Sequence, residues 1–151
     1  MAKNQSAVGL VREVEGFTSS VPGSSLIIFK GWPGVVQKDI TGTLDDIVSL
    51  HHGAVPGPPG FEKGDGKGDI AIEGVYKMVD EDYPSSPLAD GDLVERASSS
   101  GVVASSTSNL DVGYVIGAPY DEVVDTETGS TIRFVDVKLL GFANGTGNTV
   151  S

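Results

Sequence analysis

Apolar positions along this chain fall in short bursts rich in valine and isoleucine, parted by clusters of Gly, Ser, Pro and Asp. The bursts are SSLIIFK (24–30), PGVVQ (33–37), DDIVSL (45–50), DIAIEGVYKM (69–78), GDLVERA (91–97), GVVASS (101–106), DVGYVIG (111–117), YDEVV (120–124) and TIRFVDVKLL (131–140). Nowhere do apolar residues recur at helical spacing for three turns, and a step of about ten residues between bursts suits a barrel or sandwich. The pattern predicts an all-β protein. TGTLDDIVSL (41–50) has a threonine that could cap a helix, but it is short and is read as a strand.

Two bursts change phase internally. In DIAIEGVYKM, Ile70 and Ile72 share a face while Val75 falls on the other, which predicts a bulge near Glu73 and Gly74. In TIRFVDVKLL, Ile132 and Phe134 lie on one face and Val135, Val137 and Leu139 on the other. A strand apolar on both faces is central or covered by a neighbour, and in a small protein a second subunit could be that cover.

The 151 residues make one domain, a single β unit over 1–151. Within it, an N-terminal arm (1–8) and a C-terminal tail (141–151) are too polar to pack alone and are expected to order against something else. Ten Lys and Arg against 21 Asp and Glu give a net charge of −11. That balance argues against nucleic acid, whose binding rests on cations displacing counterions, and against anionic membranes. With no cysteine, neither disulfides nor a thiolate metal site is available. The N-terminus lacks a signal-peptide pattern and no run reaches the length of a membrane span, so a soluble protein made in the cytoplasm is expected.

The longest connection, 51–68, lies within HHGAVPGPPGFEKGDGKGD (51–69), which packs six glycines and three prolines into nineteen positions. A phosphate loop would need a glycine where Phe61 stands and a hydroxyl where Gly68 stands. Asp65 and Asp69 are fragments of a calcium loop, without its terminal glutamate. His51 and His52 are adjacent, so on an extended backbone they point apart and do not share a metal. No metal and no cofactor is expected. The acidic runs Asp80–Asp82 and Asp121, Glu122, Asp125 and Glu127 read as a solvated, turn-forming surface rather than paired catalytic carboxylates. Trp32, in GWPG, is read as an aromatic in a proline turn flanked by Gly31 and Gly34, either an interface anchor or a lid on its own core.

Taken in order, KGWPGVVQKDI, GDIAIEGVYKM, PLADGDLVERASSSGVVASSTSNLDVGYVIG and TIRFVDVKLLG resemble the small cement or decoration proteins of tailed-phage capsids, of the DUF2190 type. The matching elements are Gly31 to Val35, Gly74 and Val75, Gly91 to Val94, Gly113 to Val115, and Val135 to Leu139. The insertion after Leu50 departs from the family. The resemblance implies a small β-barrel or tulip-like sandwich with extended arms and a long Gly/Pro-rich loop. It also implies a non-enzymatic virion protein on the outer capsid surface, binding the major capsid protein and itself as a homotrimer. Trp32, Pro33, Pro56, Pro58 and Phe61 are the expected contact residues. Alternatives are a tail or head-completion component, or a receptor- or glycan-binding accessory. A dUTPase-like enzyme is remote: MVDEDYP (78–84), RASSS (96–100) and GFANGTG (141–147) echo its motifs in the wrong order.

Overall fold

The computed structural model describes residues 5–7 (backbone only), 10–45, 63–106 and 109–141. Among them every regular element is a strand. These are β1 (Gln5–Ala7), β2 (Val11–Glu15), β3 (Leu26–Phe29), β4 (Trp32–Val36), β5 (Lys67–Ala71), β6 (Val75–Asp80), β7 (Leu93–Arg96), β8 (Gly101–Ala104), β9 (Asp111–Asp125) and β10 (Ser130–Leu139).

One sheet runs β1-β6-β10-β9-β7-β8, and a further pairing of β6 with β8 closes the last five strands into a barrel. That closure is parallel, Val79 facing Gly101 and Asp80 facing Val102. A barrel has no long free edge to template aggregation. The other sheet is the four-stranded β2-β5-β4-β3. Leu26, Val35 and Ala71 lie opposite one another across it. They join Tyr76, Met78, Val94, Val102, Val112, Val115, Val135, Val137 and Leu139 in one continuous core. The inner sheet face thus packs on the barrel. A smaller cluster on the outer face centres on Val36, Ile40 and Ile70.

The all-β barrel expectation holds, and several local expectations do not. DIAIEGVYKM is not one bulged strand: β5 belongs to the four-stranded sheet and β6 to the barrel, and the chain crosses between them at Gly74, whose φ of 118° favours glycine. Conversely, DVGYVIG and YDEVV form the single 15-residue β9. Gly117-Ala118-Pro119 looks like a turn but is absorbed as a bulge. Phe134 pairs with Tyr120 and Asp136 with Ile116, so two steps on β10 face four on β9, with Gly117 at φ 80°. β10 is central, between β6 and β9, and its alternation runs unbroken against β6, so Val135 joins the barrel core while Phe134, on the other face, is covered by Lys77 and Tyr120. Its two-faced apolar character therefore requires no second subunit.

The strand expected over 41–50 is a turn at Thr43 and Leu44. Asp45 holds it, its Oδ2 accepting from the Ser20 amide and hydroxyl at 2.7 Å, with 46–50 outside the described residues. VREVE, passed over in the burst pattern, is edge strand β2. Part of the N-terminal arm is not waiting for a partner. Gln5 pairs with Tyr76 and Ala7 with Val75, because that end of β6 has one edge left open beside β8.

Candidate functional site: an aromatic groove and a projecting ribbon

The GWPG segment is not a proline turn. The two-residue connection of β3 to β4 is Lys30 (φ 52°) and Gly31 (φ 84°), the doubly left-handed turn that matches strand twist. Trp32 pairs with Phe29 and Pro33 with Ile28 inside the hairpin. In such a hairpin the pair flanking the turn exchanges ladder bonds and the next pair does not, so the side of Pro33 that lacks an N–H faces away from β3. There β4 pairs with β5 only through Val35 and Val36, and no donor is missed. Pro33 is buried. Its ring packs within its own chain.

Where β4 and β5 diverge, the outer sheet face carries a groove of about 480 Å³. Ile70 and Ile72 form its floor, Phe29, Lys30 and Trp32 one wall, and Arg12, Glu13, Val14 and Glu15 of β2 the other. Phe29 stacks on Phe17 with ring centroids 4.4 Å apart, which fixes that wall. Trp32 remains 40% exposed; it lines the groove instead of lidding a closed core. Arg12 lies opposite Ile70, and Val14 opposite Gly68, so strand alternation sends both to the groove face; Glu13 and Glu15 of the same edge strand line the groove as well. Lys30 sits over the Phe29 ring at 5.3 Å. Glu15 approaches Lys67 at 3.9 Å. Neither Arg12 nor Lys30 makes a salt bridge among the described residues.

The second surface is the far half of the β9–β10 hairpin. β7 follows β9 as far as Tyr114, and β6 follows β10 back to Phe134. Beyond these points the two strands pair only with each other among the described residues, as far as Ser130 opposite Asp125, a ribbon of about 15 Å at ~3.3 Å per residue. Its base is fastened on both faces. Arg133 forks onto Asp121 at 2.6 and 3.3 Å and stacks on Tyr83 at 3.8 Å. On the other face Lys77 meets Glu122 at 2.6 Å and covers the Phe134 ring at 4.2 Å. Tyr120 donates to Asp136 at 3.0 Å; burial, reinforced by that carboxylate, pushes its hydroxyl up to about 12. At the tip the Asp125 carboxylate accepts from the Glu127 and Thr128 amides, which hold it below the ordinary aspartate value. Val123 and Val124 are 58% and 54% exposed.

Buried carboxylates are fold elements. Glu95 and Asp111 face each other across β7 and β9, and both are buried. Burial would raise Glu95, but the Asn109 amide and the Ser106 amide and hydroxyl outweigh it and hold the group below the usual glutamate value. Ser105 donates to Asp111 at 2.5 Å. The pair thus ties down the loop after β8. Asp80, expected on a solvated surface, is only 3% exposed and accepts from the Leu88 amide at 3.1 Å. It fixes the turn that brings Leu88 onto the core. No group of three or more metal-ligating side chains occurs among the described residues, and no helix there is long and apolar enough to cross a membrane.

Of the expected contact residues, Trp32 alone is placed on an exposed surface. Pro56, Pro58 and Phe61 lie outside the described residues, as do His51 and His52. Arg12, Val14 and Ile72, which complete the groove, went unnoticed in the sequence because their convergence depends on which strands are neighbours. The ribbon had a visible signal in Val123 and Val124, which lie among acids with no covering segment. Comparison with protein-family models, curated proteins and solved structures finds no match.

Proposed function

We propose that this chain is a structural protein of a tailed-phage virion, binding the outside of the capsid as a homotrimer and reinforcing joints between major capsid protein subunits. The observation that carries it is where the family-like motifs fall. Gly31 makes the β3–β4 turn, Gly74 the crossing into β6, and Gly91 (φ 91°) the approach to β7. Gly113 lies in β9 where a Cβ would stand 2.2 Å from the Lys138 carbonyl oxygen, and Val135 to Leu139 form the inner half of β10. The resemblance thus lies in residues that set turns and close strand approaches, which supports kinship of scaffold.

The surface chemistry agrees with an exterior position. A net charge of −11 is unsuited to packaged DNA. On a capsid, weak contacts repeated around the shell hold through effective concentration, and Trp32 offers a half-exposed aromatic of the kind that anchors interfaces. Densitometry of purified particles tests the proposal. Copy number comparable with the major capsid protein is expected, and absence from mature heads overturns it.

A second reading is favoured by the groove itself. An aromatic wall beside Arg12 and Lys30 is also suited to a receptor- or glycan-binding accessory. That role predicts a handful of copies per particle and glycan binding lost in Trp32→Ala.

A further inference from the structure

We infer that the outer edge of β2 takes up an extended segment of another protein as an added antiparallel strand, of the order basic, apolar, basic, acidic, apolar. This goes beyond the capsid-binding proposal and does not depend on it.

The backbone is the first ground. Leu10 accepts from the Ile72 amide, and the Gly16 amide donates to Gly66. The even-numbered residues of β2 therefore exchange ladder bonds with β5, in the register that sets Arg12 opposite Ile70 and Val14 opposite Gly68. Val11, Glu13 and Glu15 turn their N–H and C=O groups to the outer side, where no described strand pairs with them. The other edge of this sheet, β3, is partly covered, since the Leu26 amide donates to Ser99 and its carbonyl accepts from Arg96 at 2.7 Å. An open row of alternating donors and acceptors is complementary to one kind of occupant, an extended strand.

Side chains set the sequence of that strand position by position. Opposite charges at facing positions stabilise an antiparallel pair, and like charges destabilise it. Arg12, Glu13 and Glu15 are exposed. Among the described residues only Glu15 of the three has a salt-bridge partner, Lys67 at 3.9 Å. Read from the residue facing Glu15 to the residue facing Val11, the complement of β2 is basic, apolar, basic, acidic, apolar. The match lies in the order of the charges and not in their sum.

The same rule excludes a second copy of β2. With the outward backbone groups on odd positions, antiparallel self-pairing joins odd residues to odd ones. A register centred on Glu13 sets that glutamate against itself. One centred on Arg12 opposes the two arginines, and one centred on Val14 opposes Glu13 and Glu15 twice. Every register that overlaps three or more residues of VREVE thus brings like charges together, so the edge resists its own copy and stays open to a strand of complementary order.

Amide exchange of the full chain, followed by nuclear magnetic resonance with the end-blocked peptide Lys-Val-Lys-Glu-Val, tests this. In the free protein β5 protects the Arg12 and Val14 amides and leaves those of Val11, Glu13 and Glu15 open. The peptide should slow exchange of these three by about tenfold or more at saturation. The same residues reordered as Lys-Lys-Val-Val-Glu, and the original peptide N-methylated on the backbone nitrogens of both lysines, should each bind about tenfold more weakly or worse. The variant Arg12→Glu/Glu13→Lys/Glu15→Lys, altered only at exposed side chains, should keep its circular dichroism and switch its preference to Glu-Val-Glu-Lys-Val. Outer amides already protected in the free chain, or left open at millimolar peptide, overturn the inference. So does equal binding of the reordered or N-methylated peptide, or a preference that does not switch.

Discussion

Ile70 of β5 lies across Gly34 of β4: a Cβ added at Gly34 would stand 2.3 Å from Ile70 Cγ2 and 3.0 Å from the Ala71 carbonyl oxygen. The two positions share one side chain's worth of space, and that sharing lays Ile70 down as the groove floor. Gly34→Ala is expected to force the strands apart and destabilise the protein by about 1–3 kcal/mol. The shift in the urea midpoint measures it; an unchanged midpoint would mean that the sheet yields freely here.

Glu95 should make stability fall in acid. Its folded value is below the ordinary 4.5, so its contribution is complete above that pH and is lost as pH falls through the folded value. Glu95→Gln, which cannot accept all three bonds from Ser106 and Asn109, should cost about 1–3 kcal/mol at neutral pH. Its deficit against wild type should shrink below about pH 4.5, as followed by denaturant titration across pH.

Tyr120 acts at the other end of the scale. With the folded hydroxyl at about 12 against 10.0 in the unfolded chain, the unfolded state releases its proton first. Stability from this group is intact below pH 10 and declines as pH rises towards 12. Tyr120→Phe should remove that alkaline slope while costing no more than about 1 kcal/mol near neutrality. Ultraviolet titration of the phenolates in wild type should find Tyr120 ionising late, together with Tyr76, whose hydroxyl burial also pushes up, and Tyr120→Phe should remove one of these late steps.

The core and the ribbon should respond unequally to substitution. Met78 is fully buried, and Met78→Ala should cost about 2–5 kcal/mol. Val124→Thr, at the ribbon tip, should leave the thermal midpoint within the change produced by about 0.5 kcal/mol. A large loss at Val124 would show that the ribbon is already packed within its own chain.

What the sequence determined by itself is the β class, the division into short strands, and the identity of most core residues. Val94, Val102, Val112, Val115, Val135 and Val137 are buried because alternation and β-branching are local properties that survive whatever the neighbours are. Pairing is not local. Whether Ile72-Glu73-Gly74 is a bulge or a passage between sheets, and whether Gly117-Ala118-Pro119 is a turn or a bulge, depends on the strand each meets; the same φ > 0 glycine serves either outcome. The groove is a tertiary product for the same reason. Arg12, Phe29, Trp32 and Ile70 come from four strands whose adjacency, β2-β5-β4-β3, follows from which faces can be buried together against the barrel, and no spacing within the chain encodes it.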